Sequence, residues 1–136
     1  MSLGRFDAAQ KILGLNNPTH GASGVTYTVN FTATNGLTAG YSTLKFIAPS
    51  GTTLPTGYCE YEVEDVTINS NTCEDGYPTV TGGNEVTLVT NTNVAAGDQV
   101  TLKITNVTND GTAGAQEAKF FTGSDPLQVS LPFTLA

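Results

Sequence analysis

The chain has 136 residues and a formal net charge of −7, from five Lys and Arg against twelve Asp and Glu. That length suits one domain with its own core. The acidic balance, with no basic patch to offset it, argues against nucleic acid and anionic membrane surfaces as partners. No apolar run is long enough to cross a bilayer as a helix, so no membrane insertion is expected.

In chain order, residues 1–7 read as a tail or linker, with Met1-Ser2-Leu3 as a cloning remnant, and 8–136 as a single domain. Both ends read as cuts through a longer protein. A first strand is expected over Ala9 to Leu15, with Gly14 marking a bulge; a helical turn over Phe6–Leu13 is the alternative. Asn17-Pro18-Thr19-His20-Gly21 is a turn. The strongest signal follows. From Val25 to Thr34 apolar and polar residues alternate without a break. Side chains on a strand change face at every residue, so Val25, Tyr27, Val29, Phe31 and Ala33 line an inner face, and threonines with Asn30 line a wet one.

A third strand is expected over Tyr41 to Ile47, with Leu44 and Phe46 inward. In a fourth, Tyr58 to Val63, Cys59, Tyr61 and Val63 share one face and Glu60, Glu62 and Glu64 the other. Asp65 breaks that rhythm, so Glu64-Asp65 reads as a bulge or turn, after which Val66 and Ile68 resume out of phase. Asn69 to Tyr77 reads as a polar loop bending at Glu74-Asp75-Gly76. Short strands over Thr79–Thr81 and Glu85–Thr90 flank a hairpin turn at Gly82-Gly83-Asn84. Gln99 to Val107 alternates again, with Val100, Leu102 and Ile104 inward. Asn109-Asp110-Gly111 opens a loop, Glu117 to Thr122 is a strand, and Leu127 to Phe133 is the last one. Pro132 cannot donate to a ladder, which places that strand at a sheet edge. Eight to ten such strands, with threonine at about one position in six, describe an all-β, antiparallel two-sheet sandwich with Greek-key connections; a closed barrel is the alternative.

Several runs carry a resemblance: Gly21 to Thr32, Leu37 to Leu44, Pro49 to Pro55, Ala95 to Leu102, and Thr122-Gly123-Ser124-Asp125-Pro126. Together they resemble Ig-like β-sandwich repeat modules of bacterial cell-surface and secreted proteins. The resemblance spans most of residues 9–134. It implies a non-catalytic extracellular module at the cell surface, serving as a spacer or adhesion domain. The implied partners are neighbouring modules of the same chain and a host, cell-wall or glycan ligand. A carbohydrate-binding module and a subunit of a surface layer or filament are the alternatives. The motifs are strand and turn patterns, so no active-site residue carries over.

The residues themselves offer few sites. Cys59 and Cys73 flank a hairpin; they either close a disulfide, as an exported module would, or remain two half-buried thiols. Glu60, Glu62 and Glu64, with Asp65, are the densest acidic feature. Calcium takes six to eight oxygen ligands at about 2.3–2.6 Å, so neighbouring strands would have to complete a site; a solvated face that deters edge pairing is the plainer reading. No other cofactor is implied. Tyr58 and Tyr77, near loops, are candidates for stacking on a ligand, whereas Tyr41 and Tyr61 are equally candidates for the core. His20 lies in a turn with no nucleophile motif beside it, so no enzyme is expected. A self-formed cross-link would need a buried lysine among Lys11, Lys45, Lys103 and Lys119, and Lys103 points outward. The loops Thr52–Tyr58, Asn69–Pro78 and Asn109–Gln116 are the candidate recognition loops.

Overall fold

A computed structural model describes residues 12–57, 59–67, 70–73, 78–125 and 128–136, with the backbone alone at 12 and 70–73. Its ten strands are β1 (Ile12–Leu15), β2 (Val25–Thr32), β3 (Thr43–Ile47), β4 (Tyr61–Asp65), β5 (Ser70–Cys73), β6 (Thr79–Thr81), β7 (Glu85–Val89), β8 (Gln99–Val107), β9 (Gly114–Thr122) and β10 (Val129–Leu135). They form two five-stranded antiparallel sheets, β1-β2-β8-β4-β5 and β10-β9-β3-β7-β6. The order β1-β2-β8-β4 matches strands A-B-E-D of an immunoglobulin-type sandwich, and β3-β9-β10 matches C-F-G. The hairpin partner β5 and the β6–β7 pair extend the two sheets beyond that frame.

The core is what the alternation dictates. Val25, Tyr27, Val29, Phe31 and Ala33 are all at most 1% exposed. Beside them on β8 and β4 lie Val100, Leu102, Ile104, Tyr61 and Val63, and facing them from the other sheet are Leu44, Phe46, Val86, Leu88, Ala118, Phe120 and Leu131. Aromatic rings cross the interface: Tyr27 meets Phe46 edge-on at 6.2 Å, and the Phe31 and Phe120 centroids are 4.8 Å apart. Such geometries add to the burial of the rings themselves. In β8, the register shifts between Val25↔Val107 and Tyr27↔Ile104, and Asn106 takes a left-handed φ of 60°. This bulge lets both Ile104 and Val107 face the core.

Two polar latches close the ends of the sandwich. At one end, Tyr27 Oη donates to the buried Asn109 Oδ1 at 2.6 Å, and Asn109 Nδ2 donates to the carbonyls of Asn17 and Thr19. At the other, Asn35 Nδ2 donates to the buried Asp125 Oδ1 at 2.6 Å, and Thr122 Oγ1 accepts from Asp125 N. Gly36 beside it has no room for a side chain, since a Cβ would lie 2.6 Å from the Val94 carbonyl oxygen. β1 begins toward the Asn35 end, and β10 finishes at the Asn109 end.

The structure departs from the sequence reading at definite places. β4 starts at Tyr61 rather than Tyr58, and Cys59, expected on its inner face, is exposed outside the strand with φ 62°. Asp65 does not interrupt β4 but completes its inner row at 0% exposure, where its Oδ1 accepts the Thr67 N–H across the turn. Asp forms such local turns readily, which makes an inward carboxylate tolerable there. Val66, expected inward, is 48% exposed. β5 lies inside the stretch read as loop. Gly14 pairs in regular register, without a bulge. β3 starts at Thr43, so Tyr41 lies outside it, and β10 runs on to Leu135 at an edge, with Pro132 exposed as expected. The expectations for residues 1–11, Tyr58, Ile68, Asn69, 74–77, Pro126 and Leu127 lie outside the described residues.

Replacing Asn109 by Ala should cost about 1–3 kcal/mol, because it removes the buried bond to the Tyr27 hydroxyl and the bonds to the Asn17 and Thr19 carbonyls; urea unfolding measures this. Burial first, and the nearby Asp110 charge second, push the Tyr27 phenol up to about 12. Burial chiefly, with Glu60 adding, raises Tyr61 as well. A raised folded-state value means the stability is whole below about pH 10 and drains as pH climbs through the folded value. Two of the five tyrosines should therefore ionise late, together with unfolding, when tyrosinate absorbance is followed in an alkaline titration.

Candidate functional site

Of the residues singled out by sequence, Glu62 and Glu64 lie on the outer face of the β1-β2-β8-β4-β5 sheet, with Cys59 and Glu60 beside it. Period two sends the polar residues of β2, β8 and β4 to this side. Cross-strand rows follow from the register: Gly14–Thr28–Lys103–Glu62, then Asn30–Thr101–Glu64, then Thr32–Gln99. Neighbours in these rows bond to one another. Thr101 Oγ1 donates to Asn30 Oδ1 at 2.7 Å, and Gln99 Nε2 donates to Thr32 Oγ1 at 3.1 Å. The outcome is a flat surface of hydroxyls and amides held in fixed orientation.

At the Asn109 end of this face lies a depression of about 280 Å³, lined by Cys59, Glu60, Glu62, Lys103 and Thr105. Glu60 builds its rim. One carboxylate oxygen accepts the Gly57 N–H at 2.8 Å and the other accepts from Asn106 Nδ2 on the β8 bulge. A Cβ at Gly57 would lie 2.5 Å from that first oxygen, so a side chain there would push the Glu60 carboxylate aside. The segment before β4 is thereby clamped to β8, which the bond from Thr105 N to the Glu60 carbonyl reinforces at 3.0 Å. Lys103 stands exposed beside Glu62. Among the described residues the ion pair is Lys45 Nζ to Glu85 Oε1 at 3.5 Å, on the other sheet. The Lys103 ammonium faces solvent, with Glu62 opposite it in the register and Glu60 lining the same depression.

The acidic stripe does not act as one cluster. Glu62 and Glu64 lie on the outer face, Glu60 is engaged in its clamp, and Asp65 faces the core on the opposite side of β4. Among the described residues, no three His, Cys, Asp or Glu side chains converge to hold a metal ion. Cys59 is exposed just before β4, and Cys73 sits opposite Glu62 in the backbone register of β4 and β5. Tyr58 and Tyr77 fall outside the described residues. His20 is tied through Nδ1 to the Ala136 carbonyl at 2.7 Å. The described lysines Lys45, Lys103 and Lys119 all reach solvent rather than the core.

Sequence reasoning missed two features. Asn109 was expected in a plain turn, yet it is the buried hub of the Tyr27 latch; a lone amide gives no periodic signal. Tyr41 was expected in a strand, yet it is 82% exposed. The Thr38-Ala39-Gly40 run before it was the available cue, because a glycine at φ 76° ends any extended segment.

No protein-family model matches the sequence, and no curated protein is similar to it in sequence. Solved structures do share its fold. The bacterial hydrophobin BslA superposes with a TM-score of 0.58 at 14% identity, over 91% of this chain and 92% of that one. The collagen-binding domain of a Staphylococcus aureus adhesin gives 0.52 at 11% identity, over 95% and 98%. The N-terminal domain of a Streptococcus gordonii adhesin gives 0.58 at 14% identity; the match covers 95% of this chain but 32% of the streptococcal one. The architecture is thus the two-sheet, Ig-like sandwich of bacterial surface-protein modules, and identities at this level speak to fold alone.

Proposed function

We propose that the chain is a non-catalytic module of a larger bacterial surface protein, and that it holds a partner against the outer face of the β1-β2-β8-β4-β5 sheet. The observation that carries this reading is the depression beside Lys103, set in a rigid amide and hydroxyl surface. A fixed polar face loses little conformational freedom on contact, and the exposed Lys103 offers a cation to a partner across an interface. The sharing of this fold with two adhesin domains supports an adhesive role at the cell surface. His20 is held by a backbone carbonyl in an exposed turn, with no nucleophile bonded to it, which supports binding rather than turnover.

Cys59 and Cys73 form a disulfide in this reading. Support comes from the presence of two cysteines in the chain and from the pairing that sets the Cys73 backbone opposite Glu62, whose side chain lines the depression together with Cys59. The bridge would tie the rim of the depression to the edge strand β5. On the chain-entropy model it contributes about 3 kcal/mol.

Binding to immobilised extracellular-matrix proteins and cell-wall polymers tests the first claim. Lys103→Glu should lower retention on the responsive surface by about tenfold, the equivalent of 1.4 kcal/mol, with the unfolding midpoint unchanged. Retention that survives Lys103→Glu and Glu62→Lys alike would remove the face from the account. For the bridge, the unreduced protein should weigh two hydrogens less than the reduced chain, and Cys73→Ala should unfold at lower urea. Two thiols reactive in the native protein would sink it.

A further inference from the structure

Tyr41 is the exposed aromatic ring among the described residues, and its surroundings are unusual for a loop. The backbone under it is fixed from five directions. Thr38 N donates to Ser42 Oγ at 2.8 Å, and Ser42 N donates to the Thr38 carbonyl at 2.9 Å. Ala39 N donates to Asn93 Oδ1 at 2.8 Å, Gly40 N to the Thr90 carbonyl at 2.7 Å, and Thr90 N to the Ser42 carbonyl at 2.9 Å. The second segment is itself anchored, since Thr90 and Thr92 are buried and Thr92 N donates to Thr90 Oγ1. An aromatic ring that could have folded back over the surface is held out from a rigid platform. The backbone beneath the ring has thus paid its ordering cost before any partner arrives.

The chemistry around the ring selects the partner. In a chain of net charge −7, residues 33–44 and 88–97 contain no Asp, Glu, Lys or Arg. Asn93 spends its Oδ1 on Ala39 N, and its amide group remains exposed with two donors. Thr38 is exposed beside it. These two segments therefore present one flat apolar face, an amide donor and a hydroxyl, and carry no charged side chain of their own for an ionic partner to answer. A pyranose ring matches this: its C–H face is apolar, its rim is hydroxyls, and it carries no charge. An acidic or basic peptide does not match, and a purely apolar partner would meet one ring.

We propose that Tyr41, Asn93 and Thr38 form a binding site for a neutral carbohydrate at the Asn35 end of the sandwich. This gives a ligand class to the adhesive role proposed above, at a site separate from the Lys103 face. The ring stacks on the sugar's C–H face, and the Asn93 amide donates to a ring-edge hydroxyl.

The test is a titration of the isotope-labelled whole chain, followed by amide chemical shifts, with neutral hexose and N-acetylhexosamine oligosaccharides, and with a sialylated one for contrast. Saturable shifts confined to residues 38–42 and 90–94 are expected with a neutral sugar. Tyr41→Ala should weaken them by about tenfold, whereas Tyr41→Phe should retain most of the binding. Tyr41 is exposed, so these variants should leave the unfolding midpoint where it was. Lys103→Glu should leave the sugar response intact, so that failure of one site is distinguishable from failure of the other. No saturable response to any neutral oligosaccharide, or a response indifferent to Tyr41→Ala, overturns the proposal. So would shifts at Tyr41 that depend on protein concentration alone, which would make a second copy the occupant.

Discussion

The meeting of the inner rows of two sheets is the constraint from which the rest follows. β2 and Ala33 just beyond it supply five alternate inward side chains, and the β2 rings lie against Phe46 and Phe120 of the opposite sheet. Because side chains change face at every residue, a slip of one position would carry all five into water and bring Thr26, Thr28 and Asn30 inside. At about 25 cal/mol per Å² of apolar area, no alternative register of that strand competes. Once β2 is set, β8 pairs with it, β4 pairs with β8, and the outer face inherits every threonine, amide and charge that the core refused. The wet face is a consequence of the dry one.

Much of this was legible in the residues. Alternation in β2, β8 and β10 was long enough to identify both strand and face, and Pro132 correctly put β10 at an edge. The reading failed where a polar residue is buried or an apolar one exposed for reasons that are not local. Asp65 was taken for an interruption because a carboxylate seldom faces a core, yet a turn N–H bonds one of its oxygens there. Val66 and Tyr41 lie on turns, where periodicity carries no information. Cys59 matched the phase of Tyr61 and Val63, but a left-handed backbone at that residue takes it out of the strand. The Asn106 bulge, which restores the phase of Val107, is invisible in a pattern of apolar and polar letters.

The candidate sites were less legible than the fold. The outer face was predictable as polar, but the depression depends on Glu60 reaching both Gly57 and Asn106, residues distant in sequence from each other. Glu60 had been grouped with Glu62 and Glu64 by spacing, and the structure separates a clamp from two surface carboxylates. Likewise, Asn109 and Asp125 do their work through contacts across the whole chain, holding loops rather than ligands. The polar residues thus divide into those that fasten the ends and those that remain available on a face or a loop. The adhesin and hydrophobin structures share the sandwich and little sequence, as expected when fold depends on alternation and recognition on loops and faces.

The strand directions have a mechanical meaning. β1 begins toward the Asn35 end while β10 finishes at the Asn109 end, each antiparallel to its single sheet neighbour. Tension applied along the polypeptide would drag both outermost strands lengthwise past β2 and β9. Every rung of those ladders then shares the load at once, instead of peeling open one after another. Rupture under force follows the unfolding barrier rather than the equilibrium stability, so this arrangement is built to stay shut under sustained pulling.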